Sequence, residues 1–462
     1  MSRLVVVSNR VADFEDAAQS GGLAVALADA LRNRGGIWFG WDGKTVGQGT
    51  RVDPQIQKID RATTITLPLT NKDYREYYAG FANSVLWPLL HYRLDLVEFQ
   101  PAFLRGYKRV NSKFADALSP HLKPADTIWI HDYHLIPLAA ELRKRGCRQR
   151  IGFFLHIPFP PPEILAAAPE CDWLIHSLFS YDLIGFQTET DLANFRRYVD
   201  KYGDRETDDN EYIAAFGKAV NARCFPIGID VESFAAMAHT RAAEEQIQTL
   251  RRRTLGRKLI IGVDRLDYSK GLPNRLQAFR RLLELHPENQ KTVTFMQIAP
   301  PTREAVEAYS DLRTELETLS GSINGQFADF DWTPLRYIHR AIARRTLAAL
   351  FRGSQVGFVS PLRDGMNLVA KEYVAAQDDK DPGVLVLSKF AGAAEDMKEA
   401  LIVNPYHIDE MAENLERALK MPLAERRHRQ IALMKRIREQ DADKWQSSFL
   451  AALENLPIRK AA

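Results

Sequence analysis

Cysteine is scarce in this chain of 462 residues. There are three, Cys147, Cys171 and Cys224, widely spaced and with no CxxC pair. That excludes a disulfide framework and a thiolate zinc site, and it suits a reducing compartment. Each cysteine is expected to act as a small buried hydrophobe. Long apolar runs are missing too. The N-terminus offers only Leu4 to Val7 as an unbroken apolar stretch, too short for a secretory signal core. No other run approaches the length that spans a bilayer, so the expected location is the cytoplasm. Charge of one sign is also lacking. The 62 basic and 59 acidic residues leave a net charge of +3, which argues against general binding to nucleic acid or an anionic membrane. No serine sits in a GxSxG elbow, so a hydrolase triad has no support. His131 and His134 lie three apart without a further ligand set, and neither a metal nor a cofactor is expected. There is no low-complexity tract and no fixed-period repeat.

What is present is an alternation of short apolar runs and helical patterns. Leu4 to Val7, Asp126 to Ile130, Ile151 to Leu155 and Leu183 to Phe186 read as strands. Gly21 to Leu31, and the stretch after His134 through Leu142, read as helices. Such alternation predicts a parallel, doubly wound α/β sheet. The pattern changes near Pro226-Ile227-Gly228-Ile229-Asp230. A polar helix, Arg241 to Arg253, leads into a second series with strands at Lys258 to Val263, Thr292 to Ile298, Val356 to Val359 and Val384 to Leu387. After Asp409 the chain reads as helix, with Trp445, Phe449, Leu450 and Leu453 as an apolar stripe. The expected organisation is a first Rossmann-like domain over residues 1–230, a second over 231–440, and a C-terminal helix, 441–462, packing back on the first. Two such domains imply a cleft, and ligands bind outside the carboxyl ends of the strands.

The segment from Phe358 to Tyr373, FVSPLRDGMNLVAKEY, holds the most chemistry. A strand ends in a turn carrying Asp364, and a helix follows with Lys371 and Glu372 in its early turns. Helix-start N–H groups attract phosphate, while Asp364 and Glu372 accept hydrogen bonds from sugar hydroxyls. The unit therefore suits a nucleotide-sugar. Arg265 and Lys270 follow the strand Leu259 to Val263, where a positive pair neutralises a leaving diphosphate. The plainer alternative pairs them with Asp264 and Asp267 as surface salt bridges. Gly21 and Gly22 before a helix let backbone approach a phosphate. Arg10 follows the first strand, and Arg303 follows Gln297 to Thr302. Together they form a candidate second phosphate site. Tyr77, Tyr78, Trp87 and His91 suit a sugar ring, although a hydrophobic subcore is the commoner role of such a cluster. Asp132, His134 and His156 offer acid, base and hydrogen-bonding groups.

These stretches together resemble the UDP-forming α,α-trehalose-phosphate synthase family, retaining glycosyltransferases with the GT-B fold. The resemblance runs over roughly residues 3 to 455. It is carried by Leu4–Arg10, Gly35–Trp41, Trp129–His134, Gly152–Pro160, Arg265–Gly271, Leu362–Tyr373 and Phe390–Ala394. It implies transfer of glucose from UDP-glucose to glucose 6-phosphate, giving α,α-trehalose 6-phosphate and UDP. By that likeness Arg10, Tyr78, Asp132 and Arg303 match the acceptor-phosphate site, and Trp87 and His156 shape the acceptor pocket. Gly21 and Gly22 match a donor loop, and Arg265 and Lys270 the diphosphate clamp. Asp364 matches the donor-sugar contact. Leu368, Val369, Ala370, Lys371 and Glu372 match the nucleotide contact, with Glu372 on the ribose. Ile342 stands where relatives carry Phe in a backbone contact to uracil.

The catalytic set expected is therefore Arg265, Lys270, His156 and Asp132, without a metal. A retaining glycosidase needs two carboxylates about 5 Å apart, one of them a nucleophile. No obvious pair stands out, which favours front-face displacement. Relatives imply a homo-oligomer, dimer or tetramer, and a separate trehalose-phosphate phosphatase downstream, since no phosphatase domain is recognised before Ala462. Neighbouring possibilities are a glucosylglycerol-phosphate synthase, a pseudo-glycosyltransferase joining cyclitols, and an inactive regulatory homologue.

Overall fold

Apolar runs that have to be buried on both faces fold here into two parallel sheets, one in each of two compact units. The first unit is Met1–Pro226 with Asp443–Ala462, and the second is Ile227–Ala442. The computed structural model describes residues 2–12, 27, 28, 31, 34–50, 52–203, 212–302 and 307–457. Gly21, Gly22, Arg303 and the helix expected over Gly21 to Leu31 fall wholly or mostly outside these residues.

Among the described residues the first unit holds nine strands: β1 (Leu4–Arg10), β2 (Gly36–Val46), β3 (Gln55–Ile59), β4 (Ala62–Thr70), β5 (Thr127–His131), β6 (Arg150–Phe154), β7 (Leu183–Phe186), β8 (Tyr212–Ala215) and β9 (Lys218–Cys224). Their order across the sheet is β3-β4-β2-β1-β5-β6-β7-β9-β8. The seven inner strands pair in parallel. β3 and β8 are antiparallel additions at the two edges. The purely parallel expectation therefore holds for the interior and fails at the rims. β3 reads Gln-Ile-Gln-Lys-Ile and is largely exposed, as suits an edge blunted by charge. β1, by contrast, buries Leu4 through Val7 almost completely.

The last helix, Ala442–Glu454, places Trp445, Phe449, Leu450 and Leu453 in the core of this unit. Phe449 stacks on Trp129 of β5 at 4.8 Å. Two glycines make the room. A Cβ on Gly152 of β6 would lie 2.8 Å from both Phe449 and Leu453, and one on Gly185 of β7 would lie 2.8 Å from Phe449.

Among the described residues the second unit has six strands, all paired in parallel: β10 (Lys258–Val263), β11 (Val293–Ile298), β12 (Leu335–Ile338), β13 (Val356–Val359), β14 (Val384–Ser388) and β15 (Leu401–Val403). Their order is β12-β11-β10-β13-β14-β15. In sequence terms this is 3-2-1-4-5-6, the dinucleotide-fold order, and its direction reverses between β10 and β13. In the first unit the direction reverses between β1 and β5. The segment after Asp409, read as one helical stretch, is three helices: Ile408–Lys420, Leu423–Glu439 and Ala442–Glu454. Pro422 and the Gln440–Asp441 step divide them.

Candidate active site

In each unit, the loops that leave the two strands at the reversal point collect the polar groups. A crevice forms there because successive connections run to opposite sides of the sheet.

In the second unit, Asp264 directly follows β10. This carboxylate is buried and pairs with Arg275, whose side chain is fully buried, at 2.8 Å. Arg275 also donates to Ser360 Oγ (3.0 Å) after β13 and to Gln297 Oε1 (3.2 Å) on β11. One guanidinium thus ties three strand ends together beneath the loops. Burial pushes the Asp264 carboxyl up, against the pull of Arg275 and Lys270. Asp267 accepts from the backbone N–H and the hydroxyl of Ser269. Lys270 pairs with Asp364 Oδ2 at 2.5 Å. The simple pairing of Arg265 and Lys270 with Asp264 and Asp267 is thereby replaced for Lys270 and Asp264. Arg265 stands exposed on the same loop. Gly271 turns the chain with φ +62° into helix Leu272–Leu285, and a Cβ there would lie 2.6 Å from Ser360 O.

After β13 the loop 360–367 is pinned to its neighbour. Asp364 N–H donates to Phe390 O, and Gly392 N–H donates to Asp364 O, both at 3.1 Å. Asn367 then takes φ +76° and caps helix Leu368–Ala376 by accepting from Ala370 N–H at 3.2 Å. Its amide donates to Asp364 Oδ2 at 3.0 Å. Asn367 lies inside the Phe358–Tyr373 segment and is not among the site residues expected from sequence. Its signal was available, because asparagine both caps helices and tolerates a left-handed backbone. Leu368 and Val369 precede Ala370 in the first turn, where N–H groups have no intrahelical acceptor. Lys371 turns its side chain into the core and donates to Ile227 O at 2.7 Å. Burial brings its ammonium down to about 8. Glu372 sits 3.6 Å from Arg344, and burial outweighs that cation to push the carboxyl up to about 7. Arg344 opens helix Arg344–Arg352, two residues after the half-buried Ile342. No strand or motif signal pointed to Arg344.

In the first unit, Arg10 ends β1 with its guanidinium over Gly43, where a Cβ would lie 2.8 Å from Arg10 Nε. Tyr77 and Tyr78 lie on Tyr74–Leu86, a segment wound with the wider π-helical turn, a form frequent at functional sites. Tyr77 is fully buried and donates to Asn9 Oδ1 at 2.8 Å. Tyr78 is half-buried and stacks on His134, with centroids 5.8 Å apart and planes 10° apart. Trp87 is buried against His91 (4.1 Å) and Tyr133 (5.6 Å). For Tyr77, Trp87 and His91, subcore packing is therefore part of their role.

Asp132, directly after β5, holds φ +77° and ψ +166°, a region populated almost only by glycine. Its N–H donates to Phe154 O (2.8 Å), and its Oδ1 accepts from His156 N–H (3.3 Å). A non-glycine backbone kept in such a conformation is held there by its surroundings, and such strain collects at active sites. Beside it, His131 Nδ1 and His156 Nε2 are 3.0 Å apart. Burial takes His156 down to about 3 and His131 well below its usual value, so both rings are neutral at pH 7.

The structure thus brings Arg10, Tyr78, Trp87, Asp132 and His156 to the elements around one reversal point. It brings Arg265, Lys270, Asp364 and Leu368–Glu372 to the other, with Ile342 beside Arg344. Cys147 and Cys171 are buried as expected, and Cys224 is partly exposed. Among the described residues no helix is long and apolar enough to cross a membrane.

The two doubly wound units match the GT-B fold of solved α,α-trehalose-phosphate synthases. The model of glycosyltransferase family 20 matches residues 3–455, and the chain belongs to that family. It is 50% identical over 462 residues to a trehalose-6-phosphate synthase from Enterobacter sp. (strain 638), covering 99% of this chain and 96% of the relative. A Burkholderia xenovorans α,α-trehalose-phosphate synthase (UDP-forming), solved in complex with glucose-6-phosphate, is similar with a TM-score of 0.94. The identity is 48%, and the match covers 98% of this chain and 100% of that one. An E. coli structure bound with UDP-2-fluoro glucose matches with a TM-score of 0.95 and 48% identity, over 99% of this chain and 100% of that one.

Proposed function

We propose that the protein transfers glucose from UDP-glucose to glucose 6-phosphate, with retention, releasing UDP and α,α-trehalose 6-phosphate. The observation that carries this reading is the Lys270–Asp364 pair at the mouth of the β10 and β13 loops, 2.5 Å long and joined to a capped helix start. It sets a cation for a diphosphate beside a carboxylate for sugar hydroxyls. The names and bound sugars of the relatives at about half identity support the choice of substrates.

In this reading the second unit holds the donor. Helix-start N–H groups after Asn367 and the cations Arg265 and Lys270 take the diphosphate. Asp364 meets the donor glucose, Glu372 the ribose, and the backbone at Ile342 the base, with the loop at Gly21 and Gly22 also on the donor. Arg10, Tyr78, Trp87, Asp132, His156 and Arg303 take the acceptor. Asp364 and Asp264 are each engaged by a cation, so they act as hydrogen-bond acceptors and not as nucleophiles. The C1–oxygen bond to the diphosphate breaks as the acceptor hydroxyl arrives on the same face, and its proton goes to a leaving phosphate oxygen. Positioning and charge stabilisation are then the protein's contribution. The enzyme works in the cytoplasm as a homo-oligomer, and a separate phosphatase consumes its product.

The deciding assay mixes purified protein with glucose 6-phosphate and UDP-, GDP- or ADP-glucose in turn. Nucleotide release is followed and the sugar product identified by mass and NMR. An α,α-linked disaccharide phosphate formed fastest from UDP-glucose is expected. Turnover only with glycerol phosphate as acceptor would move the assignment to a glucosylglycerol-phosphate synthase. UDP binding with no turnover would make the protein a regulatory homologue.

A further inference from the structure

The reaction as read above does not use His131, yet this ring is buried beside a site residue. β5 ends at His131 and β6 leads into His156, and the two rings lie stacked with centroids 5.3 Å apart. His131 Nδ1 meets His156 Nε2 at 3.0 Å. Two neutral imidazoles share one proton in such a contact, so one ring donates and the other accepts.

The surroundings decide which. His131 is about 1% exposed and walled by Trp129 (4.5 Å) and Trp445 (6.3 Å). Its other nitrogen, Nε2, is buried and has no hydrogen-bond partner among the described residues. If His156 donated, His131 would carry its own proton on Nε2, an N–H sealed in an aromatic wall with no acceptor. If His131 donates, the stranded atom is only a lone pair. Orphaned buried N–H groups are the rarer and costlier of the two. His156 is half-buried, and its Nδ1 makes no hydrogen bond among the described residues. Trp445 also faces His156 at 5.9 Å, so the C-terminal helix keeps water from the shared proton.

We propose that His131 is a positioning residue that donates from Nδ1 to His156 Nε2 and so fixes His156 as an Nδ1–H donor toward the bound sugar. His156 then gives a hydrogen bond to a substrate oxygen and has no free lone pair with which to take a proton from the attacking hydroxyl. This rests on the reading of His156 as a substrate-facing residue. It also deepens that reading, because it removes His156 as a base and leaves the departing phosphate as proton acceptor.

The test is two-fold. In protein labelled with 15N-histidine, imidazole correlations assigned with H156A and H131N should show His156 protonated on Nδ1 and bare on Nε2. The opposite tautomer overturns the proposal. In kinetics, His131→Asn keeps a donor near the Nδ1 position and should hold kcat within about threefold. His131→Leu should lower kcat by roughly 10- to 100-fold, the scale of one lost oriented donor, with little change in KM for either sugar. A His131→Leu enzyme as fast as the parent, or His131→Asn as slow as His131→Leu while both stay folded, refutes the positioning role. His156→Ala separates the two layers. Full activity there would sink the placement of His156 in the site, whereas a slow His156→Ala beside a fast His131→Leu would sink only the inference.

Discussion

Lys270→Ala is the sharpest perturbation of the proposed donor site. The ammonium and the Asp364 carboxylate are each only about one-tenth exposed and touch at 2.5 Å, so water screens them poorly. Two effects follow and can be separated. Removing the cation takes away charge that faces the leaving diphosphate, which for one preorganised group is worth roughly 10²- to 10³-fold in kcat, or about 3–4 kcal/mol. It also strands Asp364. Breaking a buried pair costs about 3–5 kcal/mol, and the amide of Asn367 retains part of that, so a loss of about 2–3 kcal/mol in stability is expected. Thermal melting should fall by several degrees, and the Lys270→Ala/Asp364→Asn double variant should recover most of that fall but none of the turnover. Lys270→Arg keeps the charge but not the point geometry, and should lie between. UDP release under saturating donor and acceptor gives kcat, and acceptor titration gives KM for glucose 6-phosphate. Turnover of Lys270→Ala within fivefold of the parent, or a loss expressed only in that KM, would refute the reasoning.

Other consequences are independent of that pair. Asp132→Gly should raise the melting stability by about 1 kcal/mol by releasing a conformation only glycine holds easily, while lowering turnover. A variant that is both less stable and fully active would contradict it. Gly152→Ala sets a methyl 2.8 Å from Phe449 and Leu453 and should cost about 1–3 kcal/mol in unfolding by denaturant. Glu372 has its carboxyl raised from 4.5 to about 7, so the free protein loses stability as pH rises between those values. Glu372→Gln should therefore flatten that slope in melting curves while weakening UDP-glucose binding, and an unchanged slope would show that another group carries it. Arg303→Ala should raise KM for glucose 6-phosphate with kcat little changed, as initial rates at varied acceptor will show.

Much of this was legible in the chain itself. Short apolar runs placed β5, β6, β7, β10, β11, β13 and β14 within about a residue, and β1 at its start though it runs on to Arg10, because strands buried on both faces leave few polar positions to blur them. The site loops were legible for the same reason, since Asp, Arg, Lys and Gly cannot continue such a run. β2, β3, β4, β8, β9, β12 and β15 were not seen. β3, β8, β12 and β15 lie at sheet edges, where side chains face solvent and the pattern fades, and β2, β4 and β9 mix polar or small residues into the run.

What local sequence could not decide is which loops meet. Strand order is a property of pairing over long separations. Only that order sets Lys270 against Asp364, 94 residues later, and Arg275 beneath both β10 and β13. The same holds for His131 and His156, brought together by neighbouring strands and closed over by Trp445 from the last helix. Composition and periodicity determined that this protein would be two parallel α/β units with polar loops at their strand ends. Tertiary structure decided which buried charges and rings face each other, because in a dry interior a group's partner, more than its type, sets its charge and its hydrogen-bonding role.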